Sequence, residues 1–214
     1  MSTNREIIDR VKRIYYEKNM SPSDKTLSNR HIFDKLISSR NRVIAQELNR
    51  SNFVADSCYQ SLLFSLEDSN EGNDTSIYKT TVRKSVLMIP EILSYNDRLV
   101  IRSVGDVGGK SHFYSTTWSQ KKNIIGNKYT NKKVYYYFYN NYLYILNTSL
   151  LEKVIVTAIF ADPLVEQTNT PILDRRFVAD ARLLDSIVTL TIDELTNKNE
   201  RKDRQLSNLS QEQQ

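Results

Sequence analysis

The sequence predicts an α+β protein, in which two helices precede a β-rich body and one helix follows it. Apolar residues recur at helical spacing up to about residue 50 and again after residue 170, and between them the spacing changes to the two-residue alternation of strands. A chain of 214 residues has room for one such domain with helical extensions. We therefore divide the chain into an N-terminal helical region (1–50), a β-rich body (51–170), a C-terminal helix (171–197) and a polar tail (198–214).

Two amphipathic helices are predicted in the N-terminal region. The first covers residues 2–18, where Ile7 and Val11 recur at helical spacing, and a polar segment around Pro22 ends it. The second follows Ser28, a residue type whose side chain is preferred at helix N-caps, and it continues to the end of the region.

The body alternates between runs typical of strands and turn-forming segments rich in Gly, Asn and Asp. In the run 153–163, Val154 and Val156 lie on one face and Ile155 on the other, which indicates a strand covered on both sides. The glycine cluster 105–109 is expected to form a turn, because no helix pattern follows it to complete a phosphate site. We expect an antiparallel body folded as a sandwich or a barrel.

After the body, residues 171–197 return to helical spacing and predict a C-terminal helix, with Phe177, Leu184 and Val188 on its apolar face. The tail that follows, 198–214, is polar and contains only two leucines. By composition this tail cannot build a core of its own.

The chain offers little chemistry for catalysis. It contains one cysteine, Cys58, and two histidines, so a cysteine-based zinc site is excluded and Cys58 is expected to be a buried small residue. The signatures of phosphate loops, dinucleotide folds, metalloproteases and serine hydrolases are absent. We therefore predict a protein that is not an enzyme and that binds no cofactor or metal ion.

The sequence also bears on location. No apolar run reaches the roughly 18 to 20 residues that a membrane-spanning helix needs, and the N-terminus lacks the pattern of a signal peptide. We expect the protein to stay in the cytoplasm where it is made, with no membrane partner.

The net charge of +5 is unevenly distributed. Residues 1–50 hold eleven basic and six acidic side chains, whereas the rest of the chain is balanced. Within that balanced part, 51–77 has five acids and no base, and 107–151 has six lysines and no acid. Two interpretations remain open: solvated loops that keep the surface soluble, or complementary segments that meet across neighbouring copies. The candidate contact residues from the two segments are Asp68, Glu71, Lys132 and Lys133.

The stretch VYYYFYNNYLYILN, residues 134–147, contains six of the thirteen tyrosines. Asn140 and Asn141 both tolerate positive φ, which predicts a two-residue type I′ turn between two strands. That turn pairs Tyr139 with Tyr142 and so fixes the register back to Tyr135 and Leu146. One face, a typical core face, consists of Val134, Tyr136, Phe138, Leu143 and Ile145. The other face consists of Tyr135, Tyr137, Tyr139, Tyr142, Tyr144 and Leu146.

Three roles remain open for the tyrosine face of this hairpin. Cross-strand tyrosines can pack on one another within the sheet, and tyrosine-rich surfaces are also typical of protein interfaces. Aromatic side chains beside lysines, as in the preceding KYTNKK, can instead stack on the bases of a single-stranded nucleic acid. For the subunit interface the candidates are the tyrosines at 135, 137, 139, 142 and 144, together with the four charged residues named above.

Several segments together resemble a virion protein family of crAss-like bacteriophages, which supplies ring proteins of the neck and tail between portal and tail. The resemblance covers roughly residues 26–163. It rests on the helix SNRHIFDKLISSRNRVIAQELNRSNF, on VRKSVLMIPEIL, on VIRSVGDVGGKSHFYSTTW, on the hairpin NKYTNKKVYYYFYNNYLYILN and on VIVTAIFADP.

This resemblance implies a structural role in the virion. Many copies, about twelve, would form a ring around the channel through which the genome DNA passes, with the portal and adjoining tail ring proteins as partners. Identical subunits in a ring contact one another head to tail, so one patch binds a different patch on the next copy. The resemblance implies no catalytic residues. The alternative function is a single-stranded nucleic-acid-binding module that uses the tyrosine hairpin and its lysines.

Overall fold

The computed structural model describes residues 2–18, 27–69, 82–109, 111–125, 129–130, 132–148, 150–163 and 171–196. The chain divides into two units, one formed by Met1–Cys58 with Gln167–Gln214 and the other by Tyr59–Glu166. The described helices are α1 (Asn4–Lys18), α2 (Asn29–Ser51), α3 (Lys121–Ile124) and α4 (184–196). None of these helices is long and apolar enough to cross a membrane.

Helices α1, α2 and α4 form the first unit. The predicted cap of α2 is confirmed, because the Ser28 hydroxyl accepts a hydrogen bond from the backbone N–H of His31 at 3.2 Å. Helix α2 ends at Asn52, which has a positive φ of 53° and donates its N–H to the Leu48 carbonyl. The buried apolar side chains of the three helices include Ile7, Ile8, Val11, Ile32, Leu36, Ile44, Ile187, Val188 and Ile192. Cys58 is fully buried, as predicted.

Acidic residues of the C-terminal segment pair with the basic N-terminal helices. Glu194 on α4 accepts contacts from Lys35 at 3.1 Å and Arg42 at 2.6 Å, both on α2. Arg10 on α1 lies 2.7 Å from Asp185. Part of the positive charge of residues 1–50 is therefore balanced within this unit.

The predicted helix over 171–197 is only partly correct. Residues 172–174 and 181–183 form single 3-10 turns, and the α-helix begins at residue 184. The reason is pairing with the start of the chain, since Asn4 donates its N–H to the Arg175 carbonyl at 2.9 Å and Phe177 donates to Ser2 at 3.1 Å. These tertiary hydrogen bonds hold the segment extended in spite of its helical spacing.

Asp180 caps the turn that leads into α4. Its carboxylate accepts hydrogen bonds from the backbone N–H of Arg182 at 3.0 Å and from the guanidinium of Arg182 at 2.7 Å. Hydrogen bonding to Arg182 lowers the pKa of Asp180 from its ordinary value. Because the folded state favours the charged carboxylate, this stabilisation is present above the unfolded-state pKa and is lost as the pH falls through the folded-state pKa.

We expect Asp180→Ala to lower the free energy of unfolding at neutral pH by about 1 kcal/mol, the usual loss for a capping side chain. The difference from the parent protein should shrink as the pH falls below about 4, the ordinary pKa of an Asp carboxyl group, and then through the lower pKa of the folded state, below which the group is protonated in both states. Urea unfolding at neutral and at acidic pH measures the loss in the free energy of unfolding at each pH. The control Asp185→Ala removes an exposed ion pair and should cost less than about 0.5 kcal/mol. An equal loss at both pH values would contradict the prediction.

The second unit contains all the described strands. They are β1 (Gln60–Asp68), β2 (Val82–Ser85), β3 (Ser94–Tyr95), β4 (Arg98–Leu99), β5 (Ile101–Asp106), β6 (Tyr114–Ser115), β7 (Tyr135–Tyr139), β8 (Tyr142–Leu146) and β9 (Lys153–Ala158). Seven of them form one sheet in the order β5-β9-β1-β2-β8-β7-β6, and β3 and β4 form a small hairpin. All pairs in the large sheet are antiparallel except β6 with β7, which is parallel. The predicted antiparallel body is therefore a mixed sheet.

The two edge strands of this sheet approach each other and nearly close it into a barrel. Just before β6, His112 forms a bridge with Gly105 of β5, and Phe113 donates its N–H to the Val104 carbonyl at 3.1 Å. The glycine cluster forms the predicted turn, in which Gly109 donates its N–H to Asp106 at 3.1 Å. Of the two predicted architectures, the barrel is confirmed.

The barrel interior is the core of this unit. Strand β9 contributes Val154, Val156 and Ala158, all fully buried, as its alternation predicted. Its other face carries Ile155, which is half-buried. The remaining core side chains are Phe64, Leu66, Ile89, Ile92, Val104, Tyr136, Leu143, Ile145 and Phe160.

Candidate subunit interface

The tyrosine hairpin is formed by β7 and β8, and its turn and register are those predicted. Asn140 and Asn141 have positive φ values of 49° and 62°. The five cross-strand pairs run from Tyr139 opposite Tyr142 to Tyr135 opposite Leu146. The two-residue turn therefore determines which side chains share a face.

The predicted core face points into the barrel. Tyr136, Leu143 and Ile145 are buried there, and Val134 and Phe138 pack against them. Burial raises the pKa of the Tyr136 hydroxyl, and a hydrogen bond with the Ser115 side chain partly opposes this shift. Tyr136 is thus a neutral core residue.

The centre of the tyrosine face is covered by the chain itself. Tyr137 and Tyr144 stack with ring centres 4.9 Å apart and planes 3° from parallel, and they are only 1% and 5% exposed. Ile124 of α3 packs over them together with Val82. Folded in this way, these two tyrosines offer almost no surface to a second subunit.

The margins of the tyrosine face are open. Tyr139 is 37% exposed and stacks on Trp118, with ring centres 5.2 Å apart and planes 15° from parallel. Trp118 itself is 51% exposed. Tyr135 contacts Tyr114 at a ring distance of 5.7 Å, and Tyr114 is 52% exposed. We call Tyr114, Trp118 and Tyr139 the aromatic patch.

Tyr142 is a half-buried member of the face and is already engaged within the chain. The ammonium group of Lys84 lies 3.8 Å from the centre of its ring, a cation–π contact. Lys133 makes a similar contact with Tyr114, at 5.0 Å. Lys84 and Lys133 therefore pack on tyrosine rings at the outer surface of the barrel.

The charged candidates lie at the end of the barrel where β7 begins. Lys132 and Lys133 precede β7 and are exposed, while Asp68 ends β1 at the same end of the sheet. Asp68 pairs with Arg83 of its own chain at 3.0 Å, with its side chain 80% exposed. Glu71 lies outside the described residues. The structure thus brings Asp68 and the two lysines to one end, and Tyr139 to the other.

A second exposed surface was not found by the sequence reasoning. Leu63, Val86, Leu87 and Met88 are between 47% and 63% exposed. Val86 donates its N–H to the Ser65 carbonyl at 2.9 Å, which holds this segment beside β1. We call these four residues the apolar patch. Strand alternation does not show which face of a strand is covered, and only the fold shows that Leu63 is open to solvent.

Comparison with known proteins identifies the family. Residues 6–213 match the model of the crAss ring family described as phage tail ring protein 2. The chain belongs to this phage tail ring family. No curated protein matches it significantly. The resemblance to crAss-like phage ring proteins is confirmed, and the match extends beyond residues 26–163 on both sides.

Membership of the phage tail ring family makes the chain a structural component of the virion tail. A ring protein associates with copies of itself and contacts other tail proteins. The candidate functional sites of this chain are therefore its exposed surfaces. Among the described residues, no group of three or more His, Cys, Asp or Glu side chains is arranged to hold a metal ion. Burial also raises the pKa of the Cys58 thiol, which disfavours the reactive thiolate.

The aromatic patch shows what sequence reasoning missed in this ring protein. Trp118 and Tyr114 lie in the segment SHFYSTTW, whose pattern predicts an ordinary strand. No sequence pattern indicates that Trp118 contacts Tyr139. Trp118 stacks on Tyr139 because the chain after β6 crosses the outer surface of the hairpin. A surplus of aromatic residues in 113–118 was the only available signal.

Proposed function

We propose that the chain forms a homo-oligomeric ring in the neck and tail of the phage, between portal and tail, around the channel for the genome DNA. The ring contains about twelve copies, and its further partners are the portal and adjoining ring proteins. DNA passes through it without sequence-specific contact. The subunits assemble in the host cytoplasm, and their role is structural rather than catalytic.

The observation that carries this proposal is the aromatic patch on the outer wall of the barrel. Tyr114, Trp118 and Tyr139 each leave 37% to 52% of their surface exposed. Tyrosine and tryptophan are the residue types most enriched at the energetic centres of protein interfaces. Their placement on the outer wall of a tail ring family member supports a contact between subunits.

The geometry does not favour the alternative of single-strand binding. Stacking on bases requires free ring faces. The faces of Tyr137 and Tyr144 lie against each other, and one face of Tyr139 lies against Trp118. Most ring faces on the tyrosine face of the hairpin are therefore covered by other side chains of the same chain.

The test of this proposal combines virion composition with charge reversal. We expect the protein in purified virions, and we expect mass photometry to detect rings of the full-length chain. Lys132→Glu together with Lys133→Glu should weaken ring assembly on the order of tenfold, because complementary charges set the register of a contact.

The matched control reverses two exposed charges in the helical unit, Arg13→Glu with Arg30→Glu, and should leave assembly unchanged. Absence of the protein from virions would overturn the proposed function. If the lysine variant assembled as well as the parent protein, the two lysines would be solvated side chains without a role in the contact. Binding of oligonucleotides that falls steeply with salt, without rings, would instead support the alternative.

A further inference from the structure

The end of the barrel at which the β7–β8 turn lies carries an open groove. Segment 89–92 crosses this end. It begins where Ile89 donates its N–H to the Asn141 carbonyl at 2.7 Å, and it ends where Ile92 bridges to the residues just beyond β9. Beside this segment, between the β3–β4 hairpin and the β7–β8 turn, the groove has a volume of about 470 Å³, in the range of ligand pockets. Its apolar lining comes from Ile89, Pro90, Ile92, Leu99 and Phe138.

The edge of β7 that adjoins this groove is unpaired at its end. Strand β6 pairs with β7 only as far as Tyr136, whose carbonyl accepts the N–H of Thr116 at 2.8 Å. The chain then turns away into the 3-10 turn at 118–120. Phe138 lies two residues beyond Tyr136, so its N–H and C=O point to the same side of β7. Among the described residues, neither group has a hydrogen-bond partner across this edge. An open strand edge beside an apolar groove is a recurring site for an extended peptide segment.

The groove also carries a negative charge. Of its described lining residues only Glu91 is charged, and Glu91 is exposed. Within the part of the chain that the structure describes, its carboxylate makes no ion pair. The chemistry of this site therefore favours a segment that combines apolar side chains with basic ones.

The tail of the chain, residues 198–214, has this composition. Its only apolar side chains are Leu206 and Leu209, and the residues just before them, RKDRQ, carry three basic side chains and one acid. A segment that cannot build its own core has these two leucines available for another surface. The match to the phage tail ring family extends to residue 213, so the family model includes the tail.

The spacing of the two leucines suits a strand at the edge of β7. Residues three apart on a strand point to opposite faces of a sheet. On the barrel side of β7 the neighbouring side chain is Phe138, which lines the groove, and on the outer side it is Tyr139 of the aromatic patch. A paired tail would therefore place one leucine in the groove and the other on the aromatic patch.

We infer that the tail of one copy pairs with the open edge of β7 in the next copy of the ring. This inference rests on the proposed ring and names one contact between its subunits. The tail and the groove are two different surfaces of one chain, as a head-to-tail contact requires. From Thr196, the last described residue of α4, to Leu206 an extended chain spans about 33 Å, which is long enough to reach a neighbouring subunit.

Chemical cross-linking of the full-length chain tests this contact. Cys58 is the only cysteine, so a Cys58→Ala background allows new cysteines to be placed singly. Ser94→Cys reports on the groove, where Ser94 is exposed, and Ser207→Cys reports on the tail between its leucines. With a short thiol-to-thiol cross-linker, we expect a mixture of the two single variants to form linked dimers and each variant alone to form few.

The leucine variant tests the apolar part of the contact. In the Ser207→Cys chain, Leu206→Asp with Leu209→Asp should lower the yield of linked dimers at least about tenfold, because two leucines lose their burial. The matched control, Gln211→Asp with Gln213→Asp, adds the same charge to the tail and should link normally.

The charge variant tests the basic part of the contact. In the Ser94→Cys chain, Glu91→Lys should lower the yield of linked dimers about threefold, the size expected for one exposed ion pair. Its control is Glu152→Lys, at an exposed position of the barrel outside the groove lining, which should link normally.

The outcomes separate this contact from the ring itself. A chain with both cysteines that links only within itself would place the tail in its own groove and overturn the contact between copies. Rings that assemble without links between positions 94 and 207, or links that survive in the leucine variant, would overturn the contact and leave the ring proposal intact. Failure of the parent protein to form rings, alone or in virions, would overturn the ring proposal and this contact with it.

Discussion

Tyr137→Ala is expected to lower the free energy of unfolding by about 3–5 kcal/mol, as for other large aromatic side chains removed from a core. Tyr137 is 1% exposed and stacks on Tyr144 with ring centres 4.9 Å apart. Its removal would open a cavity between the hairpin and α3, where Ile124 packs. Chemical denaturation followed by circular dichroism measures the loss.

Tyr139→Ala is the matched control for this substitution. Tyr139 lies on the same face of the same strand, but it is 37% exposed and stacks on the exposed Trp118. We expect it to cost about 1 kcal/mol, the order of one exposed aromatic pair. A comparable loss from both substitutions would show that the centre of the tyrosine face is not closed within the subunit.

Gly105→Ala is expected to destabilise the protein by about 1–3 kcal/mol, because a methyl group at this position has no room. A Cβ atom on Gly105 would lie 2.6 Å from the carbonyl oxygen of Ser111. That oxygen belongs to the backbone beside His112, whose bridge to Gly105 joins the two edges of the barrel. The substitution would therefore push apart the two edges of the sheet where Gly105 meets the segment before β6. Thermal unfolding by calorimetry measures the effect.

Ser103→Ala, in the same strand, controls for a general effect of alanine on β5. It should change stability by less than about 0.5 kcal/mol, since it only removes a hydroxyl from a half-buried position. If Gly105→Ala proved as stable as the parent protein, the close approach of the two barrel edges would be wrong.

Local chemistry allowed much of the fold to be predicted from the sequence. Ser28 marked the start of α2, and Asn140 with Asn141 fixed the register of the whole hairpin. Both signals act over a few residues, through one capping hydrogen bond or one pair of positive φ angles. The alternation of β9 gave its buried face in the same way.

The candidate site was predicted less completely. Five tyrosines were expected on one face, and that face exists. Its division into a closed centre at Tyr137 and Tyr144 and an open margin at Tyr139 depends on α3, which lies in a segment that the sequence presented only as a connection. The apolar patch went unpredicted, because alternation gives the faces of a strand and not what covers them.

By itself, the sequence determined the start of α2, the hairpin register and the residues that share each face of β7, β8 and β9, because these depend on neighbours along the chain or across one turn. Only the tertiary structure decided that the sheet closes at Gly105 and His112, and that residues 175–177 pair with the N-terminus instead of extending α4. It also decided which aromatic side chains remain open to a partner. These features depend on contacts between residues far apart in sequence, whose energies no local pattern records.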